Sequence, residues 1–383
     1  MRTTTFLILI AAALIGGCAS APPLPVPDDL LHDELFANTA APRIDPAAPL
    51  ALSPAMRSYL GAKQVRSARM FDRRRSLVDA LYRGDLRLEY DAAITRTASE
   101  AFDARSGNCL ALVLMTSAFA KELGLRVTYQ AVTGEEDWNR SNDMYIALGH
   151  VNLLLEDKNS VVDINYVSRA PLAIDFLPPR GRTITRPIEE NTVVAMYFNN
   201  RAVESLTDGR TAEAYWYARE AMRQDPQLTS GYVTMAVVYR AMKRADLAEH
   251  ALQRVLARDP DNLNALADHV LVLRDLGRAA EADAAAQRLA QLDPHPPYGY
   301  FNAGRAALQA GRLEEARRMF AKEIERMPYN HEFEYWLAVT YIEMKDPEQA
   351  ARHLRKAMEV STTRTSHDLY SAKLERLNAL RQR

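Results

Sequence analysis

"PQLTSGYVTMAVVYRAMKRADLAEHALQRVLARD", residues 226–259, is one period of a pattern that recurs every 34 residues. Pro226, Pro260, Pro294 and Pro328 mark the same place in successive periods, and Ala214, Ala248, Ala282, Ala316 and Ala350 keep that interval without a gap. Between them the apolar residues follow helical spacing, twice per period, with a break in the middle. Gly209, Gly277 and Gly311 occupy that break, and Lys243 and Lys345 take the same slot in the other two periods. Ala202, Ala236, Gly304 and Ala338 put a small side chain where two helices must approach, and Tyr232, Leu266 and Tyr300 fill the space between units. The pattern predicts pairs of helices that bury their apolar faces only by stacking on the next pair.

A helix-turn-helix period of this length with these small and large positions resembles the tetratricopeptide repeat. About five units run from Ala195 to Thr362, followed by a capping helix from Ser366 to Leu380, so that residues 191–383 form an all-α solenoid. The terminal units depart from the pattern at large-residue positions, Glu334 being one.

At the other end, "MRTTTFLILIAAALIGGCAS" has one basic residue, an apolar core from Phe6 to Ile15, and small residues directly before Cys18. This is the layout of a secretory signal over residues 1–17, too short to remain as a membrane span. Ile15-Gly16-Gly17-Cys18 resembles a bacterial lipobox, which implies that Cys18 becomes the lipidated first residue of an envelope protein held on a membrane. Ala19 after the cysteine implies the outer membrane, facing the periplasm. Residues 18–54 follow as a proline- and alanine-rich tether, with a short helix expected near Leu30 to Phe36. A net charge of −1 with 25% charged residues gives no bulk electrostatic case for nucleic acid.

Residues 55–190 change period within the segment. The first half is helical, and the apolar run from Cys109 to Leu123 ends at Gly124. Then "LRVTYQAV", "YIALGHVNLLL" and "SVVDINYV" have strand length and strand composition, and "EDKN" supplies a hairpin turn. Helices followed by an antiparallel sheet define an α+β domain. Cys109 is the one cysteine besides Cys18, and Asn108 before it is a good helix cap. A thiol in the first helical turn is favoured as thiolate, the nucleophilic form. His150 is the one histidine between His32 and His250. With a turn at residues 156–159, Asp163 faces Asn152 and lies diagonal to His150 on one face of the sheet, within reach across the strands. A slip of one residue separates them.

A cysteine at a helix start after "RSGN", a histidine on a strand and an aspartate on the next resemble the core of the transglutaminase-like superfamily, related in layout to papain-type proteases. The resemblance covers about residues 90–166 and implies Cys109 as nucleophile, His150 as general base and acid, and Asp163 as the group that orients it. Tyr90 and the backbone N–H of Cys109 are what the chain offers toward an oxyanion hole. Trp138 and Asp143 fall in a polar loop, "GEEDWNRSND". One Cys and one His do not make a zinc site, and no cofactor is implied. Two functions follow: a tethered cysteine acyl-transfer enzyme, acting as peptidase, amidase or crosslinker, whose repeats recruit a protein substrate; or an inactive lipoprotein scaffold whose repeats bind partner proteins.

Overall fold

The computed structural model describes residues 26, 28–37, 42–62, 73–82, 86, 88–141, 144–157, 170–176 and 183–381. Two helices, α1 (Pro54–Ala62) and α2 (Arg73–Tyr82), precede a short parallel pair, β1 (Glu89–Tyr90) and β2 (Ser106–Gly107), which flank α3 (Ala98–Ala104). Helix α4 (Cys109–Glu122) is buried at every position from Cys109 to Ala120. An α-helix that is apolar on all sides has to be surrounded, and this one is the centre of the domain. It ends at Gly124, whose φ of 74° is the left-handed conformation that stops a helix cheaply.

A four-stranded antiparallel sheet covers α4 in the order β5-β4-β3-β6, made of β3 (Leu125–Ser141), β4 (Met144–Asp157), β5 (Leu172–Ile174) and β6 (Ile184–Ile188). The stretch expected as a polar loop is strand instead: β3 and β4 stay paired through Trp138 opposite Ala147 to Ser141 opposite Met144, after an irregularity between Val132 and Asp137. The neighbour of β4 also differs from the one expected. Leu153, Leu154 and Leu155 pair with Ile174, Ala173 and Leu172, so β5 holds the edge that the sequence reading gave to residues 160–162. Asp163 itself lies outside the described residues.

Ten helices follow in pairs: α5 (Glu190–Thr207) with α6 (Thr211–Gln224), α7 (Thr229–Ala241) with α8 (Ala245–Arg258), α9 (Leu263–Asp275) with α10 (Ala279–Leu292), α11 (Gly299–Gln309) with α12 (Leu313–Arg326), and α13 (His331–Glu343) with α14 (Pro347–Glu359). A final helix, α15 (Arg364–Arg381), packs on α14. The five periodic alanines are all fully buried. Tyr300 departs from its expected role: Tyr298 is the buried residue, while Tyr300 is half-buried under the cations of Lys322 and Arg326. "DPHPPYGY" delays the start of α11 to Gly299, which moves the large buried position. Glu334 is tolerated in its buried position because His353 Nδ1 meets its carboxylate at 2.7 Å.

The stretch read as a tether is in contact with the body wherever it is described. Ala48–Leu50 packs near α3 and α4, and Leu30 and Phe36 are buried in the core of the first repeats.

All five turns within the helix pairs contain a residue in the left-handed region: Gly209, Lys243, Gly277, Gly311 and Lys345, with φ from 59° to 75°. A lysine there carries a steric cost of about 1 kcal/mol that glycine does not. Replacing Lys243 or Lys345 by glycine is expected to raise stability by about 0.5–1 kcal/mol each in chemical denaturation. Gly304→Ala is expected to act oppositely, by about 1–3 kcal/mol, because its new Cβ falls 2.9 Å from the buried ring of Phe320.

Candidate active site

The loop Asp91–Thr97 and the stretch Arg105–Asn108 place the thiol. Gly107 lies on β2 beside Tyr90 and is buried, and a Cβ there would stand 2.8 Å from Ala111 Cβ. Only glycine lets the strand pass so close to the first turn of α4. Asn108 then caps that helix: its Oδ1 accepts from the Ala111 N–H at 2.9 Å, and its amide donates to Thr95 Oγ1 at 2.7 Å. Cys109 follows at the helix mouth, 9% exposed, where backbone N–H groups without intrahelical partners and the helix dipole favour negative charge.

His150 is on β4, paired with Val132 of β3 just before the irregularity. Its Nε2 is 2.8 Å from Asp175 Oδ1. Asn152, two residues along the same face, donates from Nδ2 to Asp175 Oδ2 at 3.1 Å. The carboxylate is thus held by both oxygens, and it fixes which imidazole nitrogen remains. That nitrogen, Nδ1, is buried. Burial is the largest influence on His150 and opposes its protonation. Hydrogen bonds to Asp175 and to Cys109, with the charges of both, outweigh it and raise the pKa to about 9. The imidazole is therefore protonated at neutral pH, with Cys109 and Asp175 both within its reach.

Of the three residues expected at the site, the structure brings together Cys109 and His150. The carboxylate beside His150 is Asp175. It immediately follows Ile174, the partner of Leu153, so it sits across from Asn152 and diagonal to His150. The diagonal relation expected for Asp163 is met by a residue twelve places later, because "LAI" is the strand that pairs with Leu153–Leu155 of β4. Both candidates have an aspartate between apolar residues. The stretch with more β-branched residues drew the assignment, and the prolines at 171, 178 and 179 hid the other. The Trp138 side chain and Asp143 lie outside what the structure describes.

Thr95 joins this site to the repeats. Its Oγ1 accepts from the amides of Asn108 and, at 3.2 Å, Asn200 of α5. Its N–H donates to Glu204 Oε1 at 2.7 Å, and Arg201 Nη1 donates to its carbonyl at 3.4 Å. Earlier in the same loop, Ala92 N–H donates to the carbonyl of Thr362, after the last repeat, at 3.0 Å. Among the described residues no group of three or more His, Cys, Asp or Glu is placed to hold a metal ion, and no helix is long and apolar enough to cross a membrane.

Tetratricopeptide repeat models match residues 229–262 and 307–364. The C-terminal region is thus built of tetratricopeptide repeats, a class of scaffold that binds proteins and peptides. No curated protein matches the chain. Similar solved structures include YrrB, described as a tetratricopeptide protein with an unusual peptide-binding site (22% identical, covering 47% of this chain and 92% of that one, TM-score 0.25). Others are TTC0263, a thermophilic tetratricopeptide protein of Thermus thermophilus (16%, 47% and 98%, 0.31), and pilF of Pseudomonas aeruginosa (20%, 49% and 94%, 0.28).

The proton on His150 has a signature in stability. Its folded pKa lies above the ordinary 6.5, so its contribution is complete below pH 6.5 and is lost as pH rises through about 9. Denaturant titrations are expected to show wild type losing stability across that window, and the loss shrinking in His150→Gln.

Proposed function

We propose that the chain is a cysteine-dependent acyl-transfer enzyme of the transglutaminase-like type, whose repeats bind the polypeptide on which it acts. The observation that carries this reading is His150 held by Asp175 at 2.8 Å, with its pKa raised by Asp175 and by Cys109. Cys109 attacks the carbonyl carbon of an amide as thiolate, forming the C–S bond. The oxyanion is met by N–H groups at the α4 mouth, that of Cys109 first. The imidazolium of His150 gives its proton to the leaving amine as the C–N bond breaks, which leaves a thioester. His150, now neutral, takes a proton from water or from a second amine, which attacks the thioester as the C–S bond breaks and releases Cys109 as thiolate. Water makes the protein a peptidase or amidase, and an amine makes it a crosslinking enzyme. Asp175 takes the role assigned to Asp163: it fixes the tautomer and stabilises the imidazolium, and Asn152 holds the carboxylate in place.

The lipobox-like stretch before Cys18 supports an anchored form of the protein, acylated at Cys18 and placed at the outer membrane facing the periplasm. The second reading, a scaffold without turnover, is favoured by family matches that fall wholly within the repeats.

Turnover of an activated ester or a peptide amide by purified protein decides between them. Cys109→Ala is expected to remove turnover by about a thousandfold or more while peptide binding persists, and Asp175→Asn to lower it by about 10²–10⁴. Asp163→Asn is expected to change it by less than about twofold, because the carboxylate bonded to His150 is that of Asp175. Wild type no faster than Cys109→Ala on any such substrate would make the protein a scaffold.

A further inference from the structure

The segment Asp28–Ala37 reads "DDLLHDELFA" and has almost no structure of its own: two single 3-10 turns, Asp28–Leu30 and Asp33–Phe36. Its order comes from what it touches. Leu30 and Phe36 are each 1% exposed, and the Phe36 ring stacks on Tyr215 with centroids 3.9 Å apart and planes 10° off parallel. Asp33 accepts from the Tyr215 hydroxyl at 2.7 Å and from Arg219 Nη2 at 2.8 Å. Asp29 pairs with His250 and with Arg254, both at 3.2 Å. The Tyr239 hydroxyl donates to the Leu30 carbonyl at 2.7 Å. The receiving groups come from α6, the end of α7, and α8, that is, from the first two repeats.

This is how a folded surface reads a linear peptide. Two apolar anchors six residues apart enter pockets, two carboxylates four residues apart meet cations, and a main-chain carbonyl meets a fixed hydroxyl. A segment serving only as core would bury apolar residues and needs neither Asp29 nor Asp33. The fit is also incomplete. Arg219 Nε and the neighbouring Trp216 Nε1 are buried without a hydrogen-bond partner, two donors on the receiving helix that the segment leaves unmet. Each unmet buried donor weakens the complex, so a ligand with one more acceptor there binds better than the resident.

We propose that residues 28–37 are a displaceable occupant of a peptide-binding site formed by α6, α7 and α8, and that the outside partner of this site is an acidic peptide segment with leucine and phenylalanine anchors six residues apart. The site is separate from Cys109, and the inference stands whether or not the chain turns over a substrate. Because only residues 38–41 join the segment to the rest of the described chain, it competes at an effective concentration on the order of millimolar. With an intrinsic dissociation constant of about 10 μM, the site is filled about 99% of the time and an outside peptide binds about 100-fold more weakly than to the open site.

The test uses the full chain and a fluorescent synthetic peptide of residues 26–38. The double variant Asp33→Ala/Phe36→Ala, altered only in the occupant, is expected to bind the peptide about 100-fold more tightly than wild type does. Adding Arg219→Ala to that variant is expected to abolish the gain, and a peptide of the same composition in scrambled order is expected not to compete. Equal binding to wild type and the double variant overturns the proposal, as does a folded double variant, checked by circular dichroism, that binds no peptide. A double variant that loses its cooperative unfolding transition overturns it as well, because the segment is then part of the core. Swapping Asp33→Asn alone gives a milder second reading, with an intermediate gain expected and no gain counting against the site.

Discussion

The position of the thiol depends on one buried threonine. Thr95 is 1% exposed, and its hydroxyl oxygen serves both Asn108, which caps α4, and Asn200, which belongs to the first repeat. Its backbone is held by Glu204 and Arg201 of the same repeat helix. Burial raises the pKa of Glu204, and the bonds from Thr95 pull it back down, so carboxylate and loop stabilise each other. The first repeat helix therefore also fixes the loop that caps α4. Val193, Val194, Tyr197 and Phe198 of α5 lie in the same core as α4, and the break between residues 190 and 191 that the sequence suggests runs along the edge of a shared interior.

The repeats were legible because stacking imposes the same demand 34 residues apart, and alanines and turn residues answer it each time. Where the demand changes, the period no longer marks the buried position. The two prolines of "HPPY" moved the buried ring from Tyr300 to Tyr298, and the buried Glu334 acquired a histidine partner that no periodicity could announce. Lys243 and Lys345 were readable as turn residues from the period alone, against their intrinsic preference.

The site was legible in its local half. Gly107, Asn108 and Cys109 act through contacts with near neighbours in the chain, a close strand approach and a cap, and both are written in residue type. His150 was reachable as the one histidine of its region. The carboxylate was not, because it depends on which later segment adds to the open edge of β4, and strand pairing is decided by tertiary packing as much as by composition. The diagonal rule held and the strand was different. Asn152, which holds the second oxygen of Asp175, has no signature at all beyond its spacing from His150.

Two contacts give the loop before Cys109 a mechanical character. Thr95 is fastened to the first helix of the solenoid and Ala92 to Thr362 beyond the last pair, so the short stretch from Ala92 to Thr95 bridges the two ends of the coil. Repeat stacks flex by small rotations summed over their units. Any change of pitch between the ends falls on that strap, and a bond of 3.0 Å stretches by only tenths of an ångström before it is lost. A load applied along the coil is thereby delivered to the cap of α4, next to the sulfur.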